Sequence, residues 1–423
     1  MMSRSSILLA LLLLGPLPGQ AGAAALASEH AAADDALSIL PPEALVRQTL
    51  GNLPQLRAGS LNLDLAASDR ARLQAGPHEW TVRTGLYRRT DEAGDRFSEQ
   101  EVVVERPIRW FGKAGKDAAI GNKGAMMAQA AYEDAWHEAG RALMKEWFDA
   151  LRELAATARL ADQQALTTRL KTIAKKRFDA GDAAQLDVLQ ADTESRRIAA
   201  LVQQSQLRAD QALQQLSLTY PGLPQPRHGA LPSPPALHEP YANWFARITS
   251  DNHELRLAQA EADLALLQAG RAASERMPDP TVGVRVARER SGRENIYGVV
   301  IAFALPGAAR AAEANSAALK AGMASERLAQ TKRKVELAAQ RLIMEAERSH
   351  QFWQLTEQTS QQSQRQANTM MLAYELGEIT LAEALNARRQ AYDAVLLAES
   401  AKIDALATHA RLQLDAHLLW SID

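Results

Sequence analysis

Phe178-Asp-Ala-Gly181, with Leu189-Gln-Ala191 following, reappears as Tyr374-Glu-Leu-Gly377 with Leu385-Asn-Ala387, at a constant offset of 196. Each copy interrupts a long, proline-free run of helix-forming residues, so each marks a point where a long helix reverses. Three more landmarks recur in the same order. Asn52-Leu-Pro-Gln-Leu-Arg57 matches Asn252-His-Glu-Leu-Arg256, each opening a helical stretch. Pro77-His-Glu-Trp-Thr-Val-Arg83 matches Pro278-Asp-Pro-Thr-Val-Gly-Val284, each opening an extended stretch. Glu105-Arg-Pro-Ile-Arg-Trp-Phe-Gly112 matches Phe303-Ala-Leu-Pro-Gly307, each closing it. Four landmarks recurring in one order argue for a duplicated unit of roughly 200 residues.

The repeat sets the domain plan: a first repeat over 28–220, a linker over 221–240 and a second repeat over 241–423. The linker begins Pro221-Gly-Leu-Pro-Gln-Pro, and proline density of this kind breaks both helices and ladders. Each repeat reads as a short helical stretch (43–75 and 241–276), a β-hairpin (79–108 and 280–305) and a long helical hairpin. The long segments keep apolar residues at three- and four-residue steps, as in Leu143, Trp147, Leu151 and Leu154. About 65 residues at 1.5 Å each give a rod on the order of 100 Å. Rods of that length suit a tubular wall better than one globular core.

The extended stretches alternate. Trp80, Val82, Thr84 and Leu86 share one face of the first, against Thr81, Arg83, Gly85 and Tyr87. Val102 and Val104 oppose Glu99, Glu101 and Glu105, and Val282, Val284 and Val286 oppose Gly283, Arg285, Ala287 and Glu289. Tyr297, Val299, Ile301 and Phe303 oppose Gly298, Val300, Ala302 and Ala304. Apolar-out, polar-in strands of about ten residues are what a transmembrane barrel requires. The same pattern also fits soluble hairpins packed on helices. Four strands cannot close a barrel, and open edges are not viable in lipid. Strands in a membrane therefore require several chains per barrel.

Composition narrows the function. Lys and Arg (48) nearly balance Asp and Glu (50), which excludes a chain-wide basic surface for nucleic acid. With no cysteine, neither a disulfide nor a thiolate site nor a lipidated cysteine exists. Arg4, the apolar run Ile7–Leu14 and the small residues Ala21–Ala25 form a signal peptide over 1–27, with cleavage expected after Ala23 or Ala27. No catalytic constellation emerges. The nine histidines are scattered, and His409 and His417, eight apart, are too far apart on a helix to chelate one ion. Gly112-x-x-Gly115 with Lys116 lacks the P-loop pattern. No enzyme activity, metal or cofactor is expected.

The duplicated plan and the paired Phe178-x-x-Gly181 and Tyr374-x-x-Gly377 turns resemble the TolC family of outer-membrane efflux channels, over nearly the whole mature chain. The resemblance implies a mainly α fold with a small β part. Each chain would add four transmembrane strands and a share of a long helical periplasmic tunnel. Three chains would form a 12-stranded barrel. It implies a passive exit duct of a tripartite efflux or type I secretion system, spanning the periplasm and the outer membrane. The implied partners are two further copies of the chain, a periplasmic adaptor (membrane fusion) protein, an inner-membrane transporter and outer-membrane lipid. A periplasmic adaptor with one helical hairpin is the alternative reading. Leu305-Pro-Gly-Ala-Ala-Arg310 and Trp110-Phe-Gly-Lys113 look most like the CzcC-type heavy-metal branch, while cargo stays open between metal ions, drugs and polypeptides.

By the same resemblance, the turns carry the periplasmic tip and its aperture, comprising Phe178, Gly181, Asp187, Tyr374, Gly377, Glu383 and Asn386. Family members often place two acids one helical turn apart at the second tip; here those positions hold Glu383 and Asn386, and Asp187 matches Glu383 at the first tip. Arg177, Lys176, Arg388 and Arg389 are the cations available in sequence to offset aperture acids.

Overall fold

A computed structural model of the chain describes residues 36–422; the expected signal peptide, 1–27, lies outside them. Two short helices, α1 (Glu43–Gly51) and α2 (Pro54–Ala75), precede strands β1 (Thr81–Thr90) and β2 (Arg96–Pro107). Two long helices follow, α3 (Lys113–Asp179) and α4 (Gln185–Thr219). The order then recurs as α5 (Tyr241–Ser250), α6 (His253–Ser274), β3 (Thr281–Glu289), β4 (Glu294–Ala302), α7 (Ala308–Glu375) and α8 (Leu381–Asp415). The two copies match closely in length: α3 and α7 have 67 and 68 residues, and α4 and α8 have 35 each.

Two stretches differ from expectation. The short helical stretches 43–75 and 241–276 are each broken in two, at the paired landmarks Asn52 and Asn252. Pro54 cannot donate a backbone hydrogen bond, so α1 stops before it. Asn52 Nδ2 then donates back to the Gln48 carbonyl at 2.9 Å. In the second copy Asn252 caps α6 by accepting from the Leu255 N–H at 2.9 Å.

Contacts divide the chain into two units. Among the described residues, one holds 36–42, Met144–His238 and Glu345–Leu412; the other holds Glu43–Leu143, Glu239–Met344 and 413–422. Each unit therefore draws segments from both sequence repeats.

The sheet belongs to the second of these units. Its order is β1-β2-β3-β4, and every neighbouring pair is antiparallel. Register aligns the alternation of both hairpins. Val82 pairs with Val104, Val104 with Val284 and Val284 with Val299. One row along, Thr84, Val102, Val286 and Tyr297 align. This face is apolar and exposed: Val299 is 71% and Tyr297 76% accessible. The opposite face is crossed by ion pairs. Arg83 pairs with Glu105, Arg285 Nη2 lies 3.2 Å from Glu101 Oε2, and Arg89 Nη1 lies 3.4 Å from Glu99 Oε1. A one-residue slip between hairpins would mix the two faces.

Where the strands meet the helices, Lys113 is fully buried. Its Nζ lies 2.8 Å from Asp279 Oδ1 and 3.1 Å from Glu275 Oε2. Asp279 also accepts from the Trp110 N–H at 2.8 Å and sits 2.8 Å from His78 Nε2. His78 and Asp279 occupy matching positions of the two repeats, so the duplicated strand entries bond directly to each other.

In the other unit α3 and α4 pack antiparallel. Thr157 Oγ1 meets Ser205 Oγ at 2.8 Å, and Arg208 Nε donates to Glu153 Oε2 at 3.0 Å. Nearer the turn, Lys171 Nζ lies 2.5 Å from Asp192 Oδ1. Between these bonds Leu160, Ile198 and Val202 form a buried cluster, each such side chain worth about 1.5–3 kcal/mol of burial. Ala367, Ala387 and Ala391 make the corresponding contact of α7 with α8, where small side chains permit close approach.

Candidate functional site

The two turns that reverse the long helices are built alike, bond for bond. At the first, the Gly181 N–H donates to the Phe178 carbonyl at 2.9 Å and the Asp182 N–H to the Arg177 carbonyl at 2.8 Å. At the second, the Gly377 N–H donates to the Tyr374 carbonyl at 3.0 Å and the Glu378 N–H to the Ala373 carbonyl at 2.9 Å. This pair of bonds satisfies helix carbonyls that would otherwise be orphaned, and it needs a left-handed residue just past the helix. Gly181 (φ 77°) and Gly377 (φ 81°) supply it. Only glycine adopts that conformation without a steric cost from Cβ.

Around the turns lies a buried cluster of Leu170, Ala174, Ala191, Met371, Tyr374, Leu381, Ala384 and Leu385, drawn from all four helices. Phe178 and Tyr374 are sequence equivalents with different fates: Tyr374 is buried, while Phe178 remains 42% exposed. Burial, with the Asp187 carboxylate nearby, raises the Tyr374 phenol above its usual range. Arg177 explains part of the difference. Its Nη1 donates to the Tyr374 carbonyl at 2.7 Å, its Nε meets Asp182 Oδ2 at 3.2 Å, and its guanidinium lies 5.0 Å from the Tyr374 ring centroid. The second copy has Ala373 at that position, so the first turn clamps the second without a reciprocal bond.

Glu383 has a local partner. Its Oε2 accepts from the Thr380 N–H and from Thr380 Oγ1, both at 2.8 Å, and Thr380 Oγ1 in turn accepts from the Glu383 N–H at 3.3 Å. This reciprocal capping box opens α8, and the Thr380 bonds hold the Glu383 carboxyl below its ordinary range. Asp187, at the matching place in α4, faces Ala184, which has no side-chain oxygen to cap the helix. Asn386 is exposed. The structure thus brings Arg177, Tyr374, Gly377 and Asp187 together and ties Glu383 to its own helix start. Thr380→Ala should cost about 1 kcal/mol of local stability, measured as faster amide exchange over the first turn of α8. Glu383→Gln, which retains an acceptor for the box, should change that exchange much less.

Two residues here, Glu194 and Thr380, are not singled out by the sequence analysis. Glu194 is 2% exposed and lies between two guanidiniums, Arg197 Nη2 at 2.7 Å and Arg389 Nη2 at 2.6 Å. Hydrogen bonds from Arg197 and Arg389 outweigh burial and hold its carboxyl at about 2. The Glu194–Arg389 bond links α4 to α8, so Arg389 is committed there and not to Glu383. Nothing in sequence singles out Glu194, because its partner is 195 residues away. Thr380-Leu-Ala-Glu383, by contrast, spells a capping box outright. Arg177 was legible as a nearby cation, but its target was not.

Leu186, Leu189, Leu372 and Leu376 stay exposed at 56–67% around the turns. Among the described residues, no group of three His, Asp or Glu side chains is placed to hold a metal ion.

No family model and no curated protein sequence matches the chain. Solved structures do. The Campylobacter jejuni CmeC outer membrane channel superposes with a TM-score of 0.73 at 12% identity, over 92% of this chain and 88% of that one. The outer membrane protein VceC from Vibrio cholerae gives 0.69 at 14% identity, over 88% and 95%. The outer-membrane channel OprN gives 0.67 at 16% identity, over 89% and 90%. At this identity the likeness concerns the fold, and it runs nearly the full length of both chains.

Proposed function

We propose that this chain, which has the fold of the TolC-type outer-membrane channels, is one third of a passive exit duct across the periplasm and the outer membrane. The observation that carries the reading is the sheet. Its exposed apolar face runs unbroken through hairpins from both repeats, and ion pairs lace the other face. Beyond β1 and β4 the sheet has two open edges, which lipid does not tolerate. Three copies joined edge to edge give a closed barrel of 12 strands, with the apolar face to lipid and the charged face to water. Among the described residues, no helix is long and apolar enough to cross a membrane.

In this reading the paired turns form the periplasmic tip, where an adaptor protein docks and passes cargo from an inner-membrane transporter. The exposed leucines around the turns support a docking role. The adaptor alternative needs one helical hairpin and a lipoyl-like β half; two hairpins, a four-stranded sheet and the channel fold disfavour it. No step of the function is chemical.

Purified protein in planar bilayers should give discrete single channels, and absence of conductance would contradict the duct. Glu383→Gln separates charge from capping and so reads the aperture cleanly. If Glu383 lines the aperture, block by hexammine cobalt should weaken strongly in this variant. Unchanged block would move the aperture elsewhere, with Asp187 next to test.

A further inference from the structure

His137, His253 and His417 are far apart in sequence, yet their rings converge. Centroids lie 5.4 Å apart for His137 and His253, 5.5 Å for His137 and His417, and 4.7 Å for His253 and His417. They come from three elements of one unit: α3, the first residue of α6, and the segment after α8.

His417 reaches the cluster through an unusual backbone. Its N–H donates to the Leu414 carbonyl at 3.0 Å, and the Leu418 N–H donates to the Gln413 carbonyl at 2.9 Å. This is the same helix-ending pair found at Gly181 and Gly377, but here a residue with a side chain takes the left-handed position, at φ 59°. A side chain at such a position incurs a steric cost that glycine avoids. The imidazole gained in return seats on the other two. The segment is further held by the Trp136 Nε1–H donating to the Trp420 carbonyl at 3.3 Å, with Trp420 buried.

The surroundings on balance disfavour extra positive charge. His137 Nε2 donates to the Leu414 carbonyl at 3.2 Å, a bond that by itself favours the protonated ring and is outweighed by burial and by Arg141. His253 Nδ1 accepts from Arg256 Nη2 at 2.6 Å, so a proton on that nitrogen would face a guanidinium. The nearby acids are already committed. Asp415 Oδ1, 3.7 Å from His137 Nε2, takes Arg141 Nε at 2.8 Å. Glu133 Oε2, 3.8 Å from His253 Nδ1, takes Arg256 Nη2 at 2.6 Å. On the outer side Glu138 pairs with Arg141 at 2.5 Å, and Glu254 with Lys334 of α7 at 2.7 Å.

We propose that the three imidazoles form a proton-sensitive latch, which seats the end of α8 and the segment after it, 413–422, on α3 and α6 when neutral and releases that segment on acidification. Burial, with Arg141 nearby, lowers His137 to about 4. Burial and the other two rings lower His253 to about 4. A histidine held below its unfolded value of 6.5 contributes fully above that value, and the contribution is lost as pH falls from 6.5 toward 4. Asp134 also titrates here. Burial and the charge of Glu138 raise it to about 6, so it takes up a proton in the folded state and acts with the opposite sign.

The chain has no cysteine, so Leu418→Cys, at a side chain 55% exposed, carries a single nitroxide in the full-length protein. Its spectrum should be immobilised at pH 7.5, and the mobile fraction should rise at least tenfold by pH 4.5 and reverse on neutralisation. His253→Gln and His417→Asn (asparagine tolerates the left-handed backbone) should each cut that rise at least fivefold, while Asp134→Asn should leave it in place. A label that stays immobile at pH 4.5, a rise undiminished in either histidine variant, or a rise abolished by Asp134→Asn overturns the proposal. So does a label mobile at pH 7.5 in both histidine variants, since the rings would then act by packing alone.

Discussion

Val299→Arg is expected to keep the protein out of the membrane, whereas Val300→Arg, one residue along, should insert at the parent's level. Val299 stands on the exposed apolar face in register with Val284, Val104 and Val82. Val300 lies on the ion-paired face, opposite Gly283. A lipid-facing arginine near the bilayer centre costs about 2–4 kcal/mol per chain, and the proposed barrel of three chains would meet that cost three times. A lumen-facing arginine remains in water. The readout is the membrane-pellet fraction that migrates heat-modifiably. Equal loss in both variants would mean that neither face is wet; equal tolerance would mean that neither meets lipid.

The second large effect is expected at the turns. Proline fixes φ near −65° and has no N–H, whereas Gly377 has φ 81° and donates to the Tyr374 carbonyl at 3.0 Å. Gly377→Pro therefore breaks both the backbone conformation and the bond, at about 3 kcal/mol or more. The damage falls in the unit that holds the turns, while the strands belong to the other. Cargo export should drop at least tenfold with membrane insertion retained. Gly181→Pro should behave alike. Gly181→Ala should be milder, about 1 kcal/mol, because a Cβ there meets nothing within 4 Å and only the left-handed backbone resists it. Loss of insertion along with export would show that the turn supports the whole fold and leave it no separate role in docking.

Much of this architecture can be read in the chain because its determinants are periodic or local. Alternation in Val82–Leu86 and Tyr297–Phe303 announces strands, and the 196-residue echo of Phe178–Gly181 announces paired reversals. The joints at Asn52 and Asn252 were harder, since helix-forming residues flank them and only Pro54 or a single cap marks the break. The register of β2 on β3 needs both repeats at once. The site was less legible than the fold. Glu383 stands out in sequence as an acid beside a turn, whereas its bonds to Thr380 come from the structure, although the spacing Thr380-Leu-Ala-Glu383 spells a capping box. Glu194–Arg389 and the three histidines depend on long-range packing that no local pattern records.

In the proposed duct one chain holds a third of a barrel. Native mass spectrometry of the detergent-extracted protein tests it most directly. A complex of three chains is expected as the dominant species, converting to single chains only on heating. A stable single chain that keeps its four strands in lipid would contradict it, because the open edges of β1 and β4 would then need no partner.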